Sequence, residues 1–415
     1  MNQITIVDAR MGRGKSSAAI RHINENRGKK RFLYITPFLD EVDRVCTQCD
    51  LEQSEGDTSS KSYELKLLLH RGENIAATHS LFYLMDNETI NLIRERKYSL
   101  IIDESIRVVE KLSISDKDFD LILDHLADVG DDGYVTWRDP EYTGRFSVYK
   151  RIADTHSLYK LDHAFINLLN PDLLRAFREV HMLTYLFDGQ YQKAYLDYFG
   201  FDYRVVGIET DDRGYKFSEH PDNPPPTNYR DLIHIVRIGK DNYIGKNRYD
   251  LSKTWFNGRG YDHPDMKALR ANMRTFFRMQ PHGSNSTRLW TCFKSAQYKL
   301  VDIKTGRFKN NFLQIRARAT NAYREKTDLA YMANLFVDPN ISKFFASKGI
   351  SINSDKYALS EMVQWIWRSA IRDNKPISIF VPSKRMRTLL SRWVDESSRI
   401  STPCAEGGSD KGGEN

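Results

Sequence analysis

The residues best placed to do chemistry stand near the start of the chain, in the run Ala9-Arg10-Met11-Gly12-Arg13-Gly14-Lys15-Ser16-Ser17. A lysine and a hydroxyl directly after a glycine-containing loop have the chemistry of polyphosphate binding. Backbone N–H groups surround the phosphate oxygens, the Lys15 ammonium reaches the β- and γ-phosphates, and the Ser16 hydroxyl ligates Mg²⁺. Gly12 and Gly14 let the backbone approach without a Cβ in the way. Gly12, Arg13, Gly14, Lys15, Ser16 and Ser17 are therefore the expected nucleotide cradle.

A second group, Asp103-Glu104, closes the apolar run Leu100-Ile101-Ile102. Asp103 is placed to share the metal with Ser16, and Glu104 to polarise an attacking water. An acidic pair at a strand end is also an ordinary solvated feature, and it is the upstream loop that favours chemistry. A third group is Gln364, Arg368 and Arg372, which recur every four residues. On an unbroken helix over 358–373 they share one face. Leu359, Val363, Ile366, Trp367 and Ala370 make an apolar stripe on the other side. Guanidinium groups held this way can stabilise charge at a transferring phosphoryl group; the alternative is a plain solvated helix face.

The elements that must position these groups read as strands and helices in alternation. Ile4–Val7, Phe32–Ile35, Ile75–Thr78 and Tyr98–Ile102 are apolar runs with polar tips. Alternation with helical stretches predicts a parallel α/β sheet, whose ligands sit beyond the carboxyl ends of its strands. Between about 107 and 180 the pattern changes to a helical insertion with a β-hairpin expected from Tyr134–Trp137 and Arg145–Tyr149. Its aromatics Trp137, Phe146 and Tyr149 could stack on unpaired bases or pack the insertion's own core. The sheet resumes at Val180–Thr184. Residues 209–230, with Pro224-Pro225-Pro226, read as a linker. A second α/β pattern follows, with strands expected at Arg288–Phe293, Phe312–Ile315 and Ile377–Val381.

Bulk properties set limits. A chain of 415 residues with 40% hydrophobic and 12% aromatic content is globular rather than disordered. Lys and Arg number 62 against 55 Asp and Glu, a net charge of +7, which is compatible with nucleic acid without requiring it. Cys46 and Cys49 form a C-x-x-C with no second pair at metal spacing, and Cys292 and Cys404 stand alone, so free thiols are expected. No apolar run has membrane-spanning length and no signal peptide is seen, so no membrane partner and a cytoplasmic location are expected.

Taken in order, Ala9–Ser16, Asp103-Glu104 and Gln364–Arg372 resemble motifs I, II and VI of the superfamily 2 DNA/RNA helicases, and phage-encoded DEAD/DEAH-like members most of all. Thr36-Pro37, Thr78-His79-Ser80, Leu183-Thr184-Tyr185 and Ala319–Tyr323 resemble the lesser motifs Ia, Ib or Ic, III and V in the same order. The resemblance implies an α/β protein with two RecA-like parallel-sheet domains in tandem: residues 1–208 with the insertion at about 107–180, a linker at 209–230, a second domain at 231–398, and a disordered tail at 399–415. It implies ATP and Mg²⁺ as cofactors and nucleic-acid-stimulated hydrolysis. Lys15, Glu104, Gln364, Arg368 and Arg372 would be catalytic, and Ser16 and Asp103 would hold the metal. Thr36, Pro37, Thr78, His79, Thr320 and Asn321 would grip a nucleic-acid backbone.

Three departures qualify the expectation. Arg372 stands eight residues after Gln364, where the family's second arginine stands seven after. Thr184-Tyr185-Leu186 replaces the usual S/T-A-T, which bears on the coupling of hydrolysis to movement. The first strand begins too early for an upstream adenine-reading glutamine motif, so loose base selectivity is expected. The implied partners are single-stranded or forked DNA, with RNA also possible, and replication proteins, in the cytoplasm of a bacterial host. The rival reading is an ATP-switched remodeller or loader that does not unwind. A packaging motor with a nuclease domain would need a set of strand-end acids that Asp302 and Asp338 do not supply.

Overall fold

The computed structural model describes residues 3–54, 58–224, 227–238, 244–281, 284–302, 305–306, 308–316 and 321–398. Thr320, Pro225, Pro226, Cys404 and the expected tail at 399–415 lie outside them.

The apolar runs form strands β1 (Ile4–Asp8), β2 (Arg31–Thr36), β3 (Ile75–Thr78) and β4 (Tyr98–Asp103). The insertion contributes short strands β5 (Val109–Lys111), β6 (Ala127–Val129), β7 (Val135–Trp137), β8 (Leu158–Leu161) and β9 (Ala164–Leu168). The chain then returns through β10 (Glu179–Thr184) and β11 (Tyr203–Val206). The main sheet has six strands in the order β11-β1-β10-β4-β2-β3, all parallel. Helices cover both faces, so β4 is buried at every residue and needs no polar alternation. Because β10 lies between β1 and β4, Asp8 pairs with Thr184 and Leu183 with Asp103. The loop after β1 and the acids after β4 therefore emerge at the same edge.

Two strands follow that the sequence reading assigned to a linker. β12 (Ile208–Asp211) and β13 (Gly214–Phe217) pair antiparallel as a hairpin around Asp212-Arg213. The hairpin folds back onto helix α1 (Lys15–Glu25). A second sheet comprises β14 (Ile233–Val236), β15 (Arg288–Thr291), β16 (Asp328–Tyr331) and β17 (Ile377–Phe380) in the order β14-β17-β16-β15, all parallel. The chain is thus α/β, two RecA-like parallel sheets in tandem with a helical and hairpin insertion in the first. No helix among the described residues is long and apolar enough to cross a membrane.

Several local expectations are corrected. Phe312–Ile315 is not a strand; Phe312 makes only an isolated bridge to Trp290. The outer strand β14 and the interior strand β16 were not foreseen: Arg230, Asp231 and Arg237 stand close on either side of β14, and Glu325 and Lys326 precede β16, which itself opens on Asp328. In the insertion, β7 pairs with β6, and Phe146 instead precedes the helix Ser147–Asp154. Trp137 and Phe146 are buried with Phe119, Ile122 and Phe165 in a small separate core. The helix expected over 358–373 ends at Ile366, and a 3₁₀ turn, Ala370–Asp373, follows. Ser369 breaks it: its backbone is extended, and its hydroxyl donates to the Ile366 carbonyl at 2.6 Å. A serine that satisfies a helix-end carbonyl with its own side chain favours termination.

The two sheets are not joined only by a linker. Helix Pro339–Ala346 lies between β16 and β17 in sequence, yet its Ile341, Phe344 and Phe345 are buried in the core of the first sheet. Phe344 stacks on Tyr198 and meets Tyr159 of the insertion edge-on.

Candidate nucleotide cleft and the arginines facing it

At the end of β1 the chain turns through two left-handed glycines, Gly12 and Gly14, each at φ 79°. Gly14 caps α1, and its carbonyl accepts from Ala18 N at 2.8 Å. No acidic residue occupies the first turn of α1, so its exposed N–H groups and the helix dipole are left to an anion. Lys15 curls back over the loop and donates to the Ala9 and Arg10 carbonyls at 2.5 and 3.0 Å. Desolvation lowers its ammonium to about 8, against the pull of Asp103, Asp8, Glu104 and Asp222.

The Ser16 hydroxyl donates to Asp103 Oδ2 at 2.8 Å. Tyr34, from the adjacent strand β2, donates its phenol to the same oxygen at 2.6 Å. Asp103 is buried, and its own carbonyl lies 3.0 Å from His79 Nε2. Glu104, next in the chain, has a left-handed backbone at φ 63°, an unfavourable conformation for a side chain of this kind. The turn aims its carboxylate into the cleft, where it keeps solvent contact. The protein mass around the cleft raises its pKa; Arg368 opposes this most strongly, Asp103 adds to it, and Lys15 and Arg372 pull it down.

Arg368 thus acts on Glu104 from the second sheet. It stands half-buried just after the helix Ser354–Ile366, and burial lowers its pKa against the pull of Glu104 and Glu361. Arg372 is exposed on the 3₁₀ turn, and its charge reaches Glu41 and Glu104. Gln364 is held one turn earlier, donating to Ser360 Oγ at 3.1 Å. Loop, acid pair and arginines therefore converge on one cleft, although the helix expected to align the arginines is broken.

The expected strand-gripping residues are less uniform. Thr36 is fully buried with its hydroxyl enclosed, and His79 is buried against the acid pair, so neither is presented to a strand in this arrangement. Pro37 is half-buried, and Thr78 uses its hydroxyl to cap the short helix His79–Phe82. Asn321 opens a 3₁₀ turn.

Three contributors were missed from sequence. Tyr34 lies inside an ordinary apolar strand, and only its pairing with Ile101 on β4 places it near the acids. Asp8 accepts from Phe187 N at 3.1 Å and is raised by desolvation. Asp222 lies 3.7 Å from Arg13. The run Asp211–Gly214 before Tyr215 is a hairpin signal that a linker reading hid.

Remote from the cleft, donor atoms of His22, Glu179 and His181 lie within 4.8 Å of one another. The Lys30 ammonium occupies both Glu179 oxygens at 2.7 and 3.0 Å. The group is therefore a half-buried and a buried histidine beside a satisfied ion pair rather than a ready ligand set.

The fold is that of an α/β protein with two RecA-like parallel sheets in tandem. A family model described as the YonV C-terminal Rossmann-like domain matches residues 227–394. The SPbeta prophage-derived protein YonV of Bacillus subtilis (strain 168), itself uncharacterised, is 36% identical over 414 residues, covering 95% of this chain and 99% of that one. The chain belongs to the YonV family. Among solved structures, S. tokodaii Xpd4 matches with a TM-score of 0.49 at 12% identity, over 94% of each chain. The Pyrococcus furiosus Hef helicase domain matches with a TM-score of 0.32 at 11% identity, over 96% of this chain and 95% of that one. At these values neither likeness transfers a role.

Proposed function

We propose that this protein is an ATP- and Mg²⁺-dependent nucleic-acid helicase or translocase of phage-type DNA replication or recombination. The observation that carries the reading is the Ser16–Asp103 hydrogen bond of 2.8 Å, with Lys15 beside it and Glu104 facing Arg368. A hydroxyl and a carboxylate already in contact are the donor pair that a hydrated Mg²⁺ on a triphosphate would engage. Glu104 would position water, and Arg368 and Arg372 would stabilise charge on the transferred phosphoryl group, with Gln364 supporting them. Gly12, Arg13, Gly14, Lys15, Ser16 and Ser17 would hold the phosphates.

The prophage origin of the YonV relative supports a phage context. Single-stranded or forked DNA is the partner that best fits a motor of this kind, with domains at about 1–208 and 231–398. The second reading, an ATP-switched remodeller, is favoured by one observation: helix Pro339–Ala346 is packed into the first core, which limits how far the halves can separate. ATP turnover with and without single-stranded DNA, duplex DNA and RNA tests the ATPase. Strand displacement from a forked duplex separates the two readings. Absence of ATP turnover under all conditions would remove both.

A further inference from the structure

The hairpin β12–β13 is anchored to the phosphate loop and its helix at several points. Arg21 of α1 grips Asp211 through both oxygens at 2.7 and 3.0 Å and reaches the Gly214 carbonyl at 3.4 Å. Arg13 donates to the Ile208 carbonyl at 3.2 Å. These ties hold the ring of Tyr215 directly over Gly14, so a Cβ added at Gly14 would run into the ring. Glycine is thus required there twice, for its φ of 79° and for the aromatic face above it.

Tyr215 is not buried by this contact; it remains 38% exposed. It forms one wall of an open groove of about 530 Å³. Ser17, Ile20, Arg21 and Asn24 of α1 line the facing side. The groove starts at Ser17, the last residue of the expected phosphate cradle, and runs away from it along the helix. A nucleoside attached to phosphates held at Lys15 and Ser16 would leave the loop at this point. The groove is large enough for a base and ribose, with an aromatic face, an aliphatic side chain, a hydroxyl, a carboxamide and the charged Arg21, Glu25 and Arg213 around it.

We infer that Tyr215 is the platform on which the nucleobase stacks, and that the groove between the hairpin and α1 is the nucleoside subsite. The inference rests on the proposed phosphate site and adds the part that recognises the base. A ring face accepts any base, so the subsite strengthens binding with little choice among bases, purines ahead of pyrimidines by stacking area.

The test compares ATP with inorganic tripolyphosphate by calorimetry on the full chain. Wild type is expected to bind ATP more tightly than tripolyphosphate. Tyr215→Ala should weaken ATP about tenfold or more and leave tripolyphosphate unchanged, while Tyr215→Phe should retain both affinities. Tyr215→Leu keeps bulk over Gly14 without a π face and should behave as Tyr215→Ala does. Photolabelling of the unaltered chain with 8-azido-ATP reads the same contact without a substitution, and its adduct is expected within 208–217. Ala and Leu variants that bind ATP as wild type does, or an adduct confined to segments outside both the hairpin and the facing wall at 17–25, would overturn the platform and leave the phosphate site standing. A wild-type chain that binds neither ATP nor tripolyphosphate would overturn both.

Discussion

Ser16 and Asp103 are 87 residues apart in sequence and 2.8 Å apart in space, joined by a hydroxyl-to-carboxylate hydrogen bond at the mouth of the cleft. The contact exists because β10 separates β1 from β4 by one strand, which places the two strand ends a side chain's reach from each other.

Lys15→Ala should abolish ATP hydrolysis without unfolding the chain, since among the described residues Lys15 hydrogen-bonds to the loop carbonyls of Ala9 and Arg10 and belongs to no apolar cluster. Glu104→Gln should lower turnover by ~10²–10⁴ while ATP remains bound, because the metal pair Ser16 and Asp103 stays intact. Filter retention of labelled ATP alongside turnover checks both; normal turnover in either variant would remove that residue from the mechanism.

Arg368 should matter more than Arg372. It is half-buried and opposes the raised carboxyl of Glu104 more strongly than any other charge, whereas Arg372 lies exposed on the turn beyond the helix break. Loss of a transition-state arginine costs ~10³–10⁵ in turnover, and lysine replaces its planar fork poorly. Arg368→Lys is expected in that range, and Arg372→Lys at about tenfold, both with ATP binding retained. Equal losses in single-turnover assays would mean that both arginines reach the phosphates after closure.

The affinity for ATP should fall above pH 8. Lys15 titrates at about 8 in the folded chain and at 10.5 when unperturbed, because burial disfavours its charge. Between those values the folded chain holds fewer protons than the unfolded one, so this group alone makes stability rise with pH. Phosphate binding requires the ammonium back, so ATP binding above pH 8 takes up a proton and weakens by up to about tenfold per pH unit. Calorimetry at pH 9 in buffers of different ionisation enthalpy counts that proton, and Lys15→Arg should show no uptake.

Acid should destabilise the fold through His22 and His181. Both are held below the ordinary histidine value by burial first. His22 lowers His181 next, Lys30 lowers both, and Glu179 raises both; Glu25 also raises His22, and Arg204 also lowers His181. A histidine depressed in the folded state leaves the unfolded chain with more bound protons below pH 6.5. Stability is therefore lost progressively below that value, at up to about 1.4 kcal/mol per pH unit for each group. His181→Leu should flatten the melting temperature between pH 6.5 and 4.5, and an unchanged acid limb would locate the sensitivity elsewhere.

Trp137→Ala or Phe146→Ala should cost about 3–5 kcal/mol in the insertion, since both rings are buried in its core. Strand binding by the rest of the chain should persist. A binding loss without a change in melting would restore the stacking role considered for these rings.

Much of the cleft was legible in the residues themselves. Gly12, Gly14, Lys15 and Ser16 carry their geometry in a short contiguous run, and Asp103-Glu104 closes the apolar run Leu100-Ile101-Ile102. Groups whose placement depends on strand order, such as Tyr34, were not legible, because pairing with β4 is a property of the sheet. Helical spacing put Arg368 and Arg372 on one face, but periodicity does not register the hydroxyl of Ser369 closing off a carbonyl. The strands β14 and β16 were masked by the charged residues beside them, whereas β15 and β17, no longer, stand in longer apolar runs; the hairpin was hidden by the polar, proline-rich stretch after it. Thr36 shows the reverse limit: a motif position was recognised, but its burial could only be seen in three dimensions.

Helix Pro339–Ala346 changes what counts as a folding unit. It is supplied by the segment between β16 and β17, and its Ile341, Phe344 and Phe345 complete the core beneath the first sheet. Cut at the proline run, the N-terminal piece would expose the socket and the C-terminal piece would carry the plug into water. The two sheets should therefore melt in one cooperative calorimetric transition, and neither fragment expressed alone should reach the stability it has in the intact chain.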